Sequence, residues 1–312
     1  MSRSIVTGAA GFIGSHLSEA LVERGHEVVG VDAFIPYYPR TFKEQNLKGL
    51  LSQKAFQFHE LDLRTSELRD VVRGADVIFH LAAMAGLMKS WSDFQSYSSC
   101  NAEATQRLLD AARDEAIPHF IYVSTSSVYG KEATGPEDST LAPFSPYGIT
   151  KLAGEQLCRA YEANFNVPIT ILRYFSVYGP RQRPDMAYHI LIRSLLNGEP
   201  FTMFGDGEQT RSNTFCPDSV QATLLAFEKR DQALGEVFNV GGGEIVSLNQ
   251  VREMLEELMG RKLEIDRQPA RPGDQKHTAA NTEKIRRVLG YNPTTRVYDG
   301  LKAQIEWQKS LA

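Results

Sequence analysis

The segment Ser4-Ile5-Val6-Thr7-Gly8-Ala9-Ala10-Gly11-Phe12-Ile13-Gly14 joins a short apolar run to a glycine-rich turn and then to a helical pattern. The run reads as a buried strand. Glycines at 8, 11 and 14 let the backbone turn tightly and approach a pyrophosphate, and the helix that follows offers its free N–H groups to the phosphates. The spacing is GxxGxxG, and a glycine triplet alone is a weak signal. Its weight comes from the strand–turn–helix context and from Asp32, which ends the next strand. An acid there meets ribose hydroxyls and repels a 2′-phosphate, so NAD is favoured over NADP.

Working outward, further strand candidates are Glu27–Val31, Phe56–Leu61, Val77–Leu81, Phe120–Ser124 and Ile169–Arg173, alternating with helical patterns at Gly14–Arg24, Asn101–Glu115 and Tyr147–Asn164. This alternation predicts an α/β fold, a Rossmann-type doubly wound parallel sheet with helices on both faces. Such sheets bind ligands at the carboxyl ends of their strands. Asp62-Leu63 and Leu81-Ala82-Ala83 fall at two of those ends, and Asn101 opens the next helix. With Gly8, Gly11, Phe12, Ile13, Gly14 and Asp32 they form the expected cofactor set. After Tyr178 the chain becomes richer in turns, as at Gly205-Asp206-Gly207 and Gly241-Gly242-Gly243, with helical patterns returning at Leu248–Met259 and Tyr298–Gln308. Two units are expected, 1–176 and a smaller lobe at 177–312.

Composition excludes other classes. The chain has 312 residues, net charge −4 and 23% charged residues, with no block of like charge. That is no footprint for a nucleic acid or an anionic membrane surface. Cys100, Cys158 and Cys216 are odd in number and form no CxxC pair. Neither a disulfide framework nor a metal site is expected, and a reducing, cytoplasmic setting fits. The start carries no signal-peptide pattern, and no apolar run is long enough to span a bilayer.

Tyr147 and Lys151 lie four residues apart, on one face of a helix. A nearby ammonium favours phenolate and lowers a tyrosine from its usual value of about 10, making Tyr147 a candidate general base. The pairing alone says little, since Tyr298 and Lys302 repeat it. Context separates the two. Tyr147 follows the strand-end hydroxyl cluster Ser124-Thr125-Ser126-Ser127, whereas Tyr298 has no such partner.

TGAAGFIGSHL (7–17), HLAA (80–83), STSSVYG (124–130) and SPYGITKLAGE (145–155) together resemble the extended short-chain dehydrogenase/reductase superfamily, and within it the nucleotide-sugar 4-epimerases. Matches continue through GDGEQTR (205–211), FNVGGG (238–243) and RPGD (271–274). The resemblance implies that NAD is the cofactor, that Tyr147 deprotonates the sugar 4-hydroxyl, and that Lys151 tunes it and holds the nicotinamide ribose. It implies that Thr125 hydrogen-bonds the same hydroxyl. It also implies that 177–312 binds mainly the nucleotide sugar, that a segment near 210–240 returns to the first unit, and that Arg211, Arg271 and Asp274 hold the nucleotide diphosphate.

Within this group, LRYFSVYGPRQRPDMA (172–187) is similar to UDP-glucuronate 4-epimerases. Ser126-Ser127 stand where 4,6-dehydratases carry an Asp-Glu pair and UDP-glucuronate decarboxylases a Glu, which favours epimerisation. Thr125, Ser126, Ser127, Ser176 and Arg183 are suited to holding a substrate carboxylate. UDP-glucose/UDP-galactose 4-epimerase, decarboxylase and dehydratase activities remain alternatives, as does a non-catalytic NAD-sensing regulator. Two departures bear on the sugar. Related epimerases read PGVR where this chain has Ala85-Gly86-Leu87-Met88, leaving Lys89 as a substitute cation. Arg211-Ser212-Asn213 replaces Arg-Asp-Phe. Apolar residues such as Leu108, Leu109, Leu152, Leu157 and Tyr161 suggest a helical homodimer interface, with simple coverage of the sheet as the other reading.

Overall fold

The computed structural model describes residues 2–270 and 275–311; Arg271 and Asp274 therefore lie outside the described residues. Seven strands form the main sheet: β1 (Arg3–Thr7), β2 (Glu27–Asp32), β3 (Phe56–Glu60), β4 (Val77–His80), β5 (Phe120–Thr125), β6 (Ile169–Tyr174) and β7 (Val237–Val240). Their spatial order is β7-β6-β5-β4-β1-β2-β3, and every neighbouring pair is parallel. The order reverses between β1 and β4, so the loops leaving these strands diverge to opposite faces and open a crevice.

The inner strands are largely apolar because both faces are covered, whereas the edge strand β3, Phe-Gln-Phe-His-Glu, alternates. One face carries α1 (Phe12–Glu23), whose Leu17 and Leu21 are fully buried with Val6 and Phe79. The other carries α2 (Ala104–Asp114) and α3 (Pro146–Phe165), with Leu108, Leu109 and Tyr161 packed against Ile78 and Tyr122. Leu108 and Leu109 are thus consumed by the chain's own core. α3 begins cleanly: Pro146 occupies its first turn, and the Ser145 hydroxyl accepts the Gly148 N–H at 3.1 Å. Capping of this kind fixes where the helix starts, and hence the depth of Tyr147.

The segment before α2 differs from the expected helix. Ser99–Glu103 is a π-helical turn, and the regular α-helix starts only at Ala104. Several helices had no sequence expectation, the longest being Ala187–Asn197 and Cys216–Glu228. The first, with Leu248–Met259 and Val297–Lys309, builds a separate core around Leu191, Val251, Leu255 and Leu301. The second packs on the α1 face of the main sheet. The strand Thr210–Phe215 pairs antiparallel with Glu244–Ser247 beside the crevice. No described helix is long and apolar enough to cross a membrane.

Candidate active site

A cavity of about 740 Å³ runs from the glycine turn, across the carboxyl ends of β1, β4 and β5, to the loops that follow β6. At one end, Gly8 has φ +73° and its N–H donates to the Val31 carbonyl at 2.7 Å. A Cβ on Gly14 would stand 2.1 Å from the Gly8 carbonyl oxygen, so only glycine lets the helix start this close to the strand end. No side chain caps the N-terminus of α1, and its first turn holds no acid. The free N–H groups and the dipole are left for an anion.

Asp32 closes β2. Its Oδ1 accepts the Phe34 N–H at 2.8 Å and the Lys43 ammonium at 3.0 Å, both side chains being nearly buried. Arg64 grips Asp62 through Nη2 at 2.6 Å and holds that carboxyl below its ordinary range. Leu63, Leu81, Ala82 and Ala83 line the same end. His80 bridges the ends of β1 and β4. Its Nδ1 meets the Thr7 hydroxyl at 2.8 Å and its Nε2 the Thr105 hydroxyl at 2.9 Å. Burial pulls it down to about 3, so it is a neutral lock. These residues fit a dinucleotide. The glycine turn suits the pyrophosphate, Asp32 the ribose hydroxyls, and the flat small-residue wall a ring.

Asn101 does not join that set. Its Oδ1 accepts the Met84 N–H at 2.8 Å, and its Nδ2 donates to the Met84 carbonyl at 2.9 Å and the Thr150 hydroxyl at 3.0 Å. The side chain is spent and does not line the cavity. Instead it ties the loop after β4 to α3, one residue before Lys151.

Thr125, Tyr147 and Lys151 all line the cavity. Thr125 ends β5, and its hydroxyl accepts the Ser127 N–H at 3.2 Å and hydrogen-bonds Tyr147. Lys151 donates to the Val123 carbonyl at 2.8 Å and lies 4.1 Å from the Tyr122 ring centre. Desolvation raises Tyr147 above its ordinary value, and the opposing influences are the Thr125 hydrogen bond and Arg183. Lys151 itself is pulled down to about 7 by burial. Its ammonium turns to the β5 carbonyl because that acceptor satisfies a desolvated cation directly.

Ser126 and Ser127 form a single 3₁₀ turn after β5, and with Ser176, Arg183 and Arg211 they face the far end of the cavity. Arg183 pairs with Asp185, Nε to Oδ1 at 2.9 Å and Nη2 to Oδ2 at 2.8 Å. Arg211 donates through Nη1 to the Thr210 carbonyl at 2.9 Å. The two departures resolve differently. Met88 is 40% exposed, while the Lys89 ammonium sits 4.7 Å over the Tyr37 ring and lines the cavity. Asn213 leaves the site, its Oδ1 accepting from the Tyr188 hydroxyl and its Nδ2 donating to the Arg211 carbonyl at 2.8 Å. Lining residues without a sequence signal include Tyr37, Lys43, Arg64 and Gln275, while Asp185 lies inside the 172–187 motif but carries no expected role there. Tyr37, Lys43, Arg64 and Gln275 each reach the cavity from a loop or short helix of no recognisable pattern.

A glycine turn at a strand-order reversal, with Tyr147, Lys151 and Thr125 across the same cavity, defines an enzyme that uses a dinucleotide to oxidise and reduce a bound hydroxyl. The chain belongs to the NAD dependent epimerase/dehydratase family, whose model matches residues 4–241. It is 45% identical over 310 residues to the uncharacterized UDP-glucose epimerase YtcB of Bacillus subtilis, covering 98% of each chain. It is 33% identical over 316 residues to the UDP-glucuronate 4-epimerase of Thermodesulfobacterium geofontis, covering 99% of this chain and 97% of the other. Among solved structures, the UDP-glucuronic acid 4-epimerase of Bacillus cereus in complex with UDP-glucuronic acid and NAD superposes with a TM-score of 0.97. There the identity is 44%, with 99% of this chain and 100% of the other covered.

Proposed function

We propose that this chain is a UDP-glucuronate 4-epimerase that interconverts UDP-glucuronate and UDP-galacturonate with NAD as a resident cofactor. The observation that carries the reading is the state of the acids in the cavity. Among the described residues its carboxylates are Asp32, Asp62 and Asp185, each paired with Lys43, Arg64 or Arg183. None stands beside Tyr147 to assist elimination, where Ser126 and Ser127 stand instead. That favours epimerisation over 4,6-dehydration or catalysed decarboxylation.

The chain's own groups divide the work. The glycine turn and Asp32 would hold the dinucleotide, and Lys151 would hold its nicotinamide ribose. NAD, when bound, would supply a hydride acceptor and donor for the sugar C4 and a positive charge that favours the Tyr147 phenolate. Tyr147 takes the 4-hydroxyl proton, with Thr125 sharing that hydrogen bond. The sugar turns over while its diphosphate stays anchored by Arg211, and Tyr147 returns the proton on the opposite face. Arg271 and Asp274 belong to the same proposed diphosphate set. A 4-keto uronate is a β-keto acid, so its carboxylate must be held with the C5–C6 bond poorly aligned to the ketone. Ser126, Ser127, Ser176 and Arg183 supply that grip.

UDP-glucose is the second reading, favoured by the 45% identity to the UDP-glucose epimerase YtcB. The test is incubation of the purified protein with UDP-glucuronate, without added NAD, followed by NMR. UDP-galacturonate without released carbon dioxide is the expected product. UDP-galactose from UDP-glucose, with UDP-glucuronate inert, would replace the assignment. Tyr147→Phe abolishes turnover on this reading, whereas a non-catalytic NAD sensor would be indifferent to it.

A cytoplasmic homodimer completes the proposal. The buried free thiols Cys100, Cys158 and Cys216 suit a reducing compartment. Phe94, Ile149 and Phe165, half-exposed on or beside the helices of the α2–α3 face, supply apolar surface for a second copy. A monomeric mass in solution at micromolar concentration would remove the dimer.

A further inference from the structure

Arg183 is not a free cation waiting in the cavity. Its side chain is only 17% exposed, and Asp185 takes both its Nε and its Nη2. Among the described residues no hydrogen bond engages Nη1. The guanidinium lies 5.1 Å over the ring of Tyr37, whose hydroxyl hydrogen-bonds the Asp185 carboxylate. Tyr37 is held in turn by Tyr97, whose hydroxyl donates to the Gly86 carbonyl at 2.8 Å and whose ring meets that of Tyr147 edge-on at 6.2 Å. Gly86, at φ +100°, admits this arrangement, since a Cβ there would stand 2.5 Å from the Tyr37 hydroxyl. Lys89 covers the same ring at 4.7 Å. Two cations and one anion meet around Tyr37, leaving one positive charge. A single substrate carboxylate balances it, and a neutral hydroxymethyl sugar does not.

We propose that Asp185, braced by Tyr37, is the positioning residue that fixes the plane of the Arg183 guanidinium, so that Nη1 holds the substrate carboxylate away from the geometry for decarboxylation. This rests on the reading of the site as a UDP-glucuronate 4-epimerase. An arginine carries several freely rotating bonds and would follow a moving carboxylate. Two parallel hydrogen bonds to Asp185 use the flat fork to remove that freedom. Asp185 also takes up half the fork, so the substrate meets Arg183 by one edge and can be released when the sugar turns over. If the fork is loose, the carboxylate can swing until the C5–C6 bond aligns with the C4 ketone. That bond then breaks, its electron pair becomes the C4–C5 enolate, carbon dioxide leaves and C5 takes a proton. The resulting 4-keto pentose can depart without taking hydride back, leaving the bound cofactor reduced.

The experiment compares the NAD-loaded wild type with Asp185→Asn and Tyr37→Phe on UDP-glucuronate. Products are followed by NMR, carbon dioxide release is measured, and the reduced cofactor is read by its near-ultraviolet absorbance. Asparagine keeps the size of the side chain but can accept from only one side of the fork. Asp185→Asn is expected to lower epimer formation at least tenfold, on the order of one lost charge-assisted hydrogen bond. The 4-keto pentose and reduced-cofactor fractions should rise together, while UDP affinity and bound NAD stay within twofold. Tyr37→Phe should move the same readouts in the same direction, less far. Clean epimerisation by Asp185→Asn at the wild-type rate would overturn the proposal alone. An equal fall in UDP affinity and bound NAD would make Asp185 merely structural and also overturn it. Failure of the wild type to convert UDP-glucuronate would instead remove the functional reading on which the proposal stands.

Discussion

Replacing Arg173 by methionine should strongly destabilise the core beside β5, the strand that carries Thr125. Arg173 on β6 and Glu155 on α3 are 4% and 3% exposed. Arg173 Nε and Nη2 reach the carboxylate at 3.0 and 2.8 Å, while Nη1 donates to the Tyr129 hydroxyl at 2.9 Å and the Glu137 carbonyl at 2.8 Å. Ser124, next to Thr125, donates to the same carboxylate. Methionine fills much of the volume but leaves the Glu155 charge in the core with one hydroxyl as its donor. Breaking a buried pair from one side costs about 3–5 kcal/mol. For a chain of this size that is a fall in Tm on the order of 10 °C. Arg173→Met/Glu155→Met removes both charges and should recover most of the loss, because a buried pair is worth little against a well-packed apolar replacement. Thermal unfolding at a fixed, saturating NAD concentration measures Arg173→Met, Glu155→Met and the double variant, since bound ligand itself moves Tm. A single variant within about 1 kcal/mol of wild type, or a double variant worse than the two singles combined, would show that solvent or rearrangement already neutralises Glu155. Because Glu155 lies one turn beyond Lys151 and Ser124 one residue before Thr125, the single variant should also lower kcat.

Gly14→Ala places a methyl 2.1 Å from a backbone oxygen, and no rotamer can relieve it. The purified variant should lose its NAD while its circular dichroism stays close to wild type, and full NAD occupancy would contradict the cradle. Asp32→Ala frees Lys43 from its ion pair, so the cofactor-free protein should then accept NADP; reconstitution with each dinucleotide checks this. Burial holds the folded value of Lys151 at about 7, below its ordinary value, so the unfolded chain binds more protons between the two. Stability of the cofactor-free protein should therefore rise with pH from about 7 toward the ordinary lysine range, and be lowest below it. Lys151→Met should flatten that rise in Tm against pH, and an unchanged slope would assign it to another group.

Much of this protein was readable because its signals are local. Alternating apolar runs and helical periods require only neighbouring residues, and they place β1 to β6 and helices α1 and α3 within a few residues of where they stand. Glycine spacing reports backbone shape, and the four-residue step from Tyr147 to Lys151 is a property of any helix. The tertiary structure decided everything that depends on which distant groups meet. Lys43 reaches Asp32, Asn101 is spent on Met84 and Thr150, and the Lys151 ammonium donates to a β5 carbonyl. Tyr37 comes from the loop after β2 to brace Asp185, far along the chain, and Val237–Val240 adds the last strand. No short-range preference encodes such meetings. They follow from how the folded layers bring loop ends together, where burial obliges each polar group to find a partner.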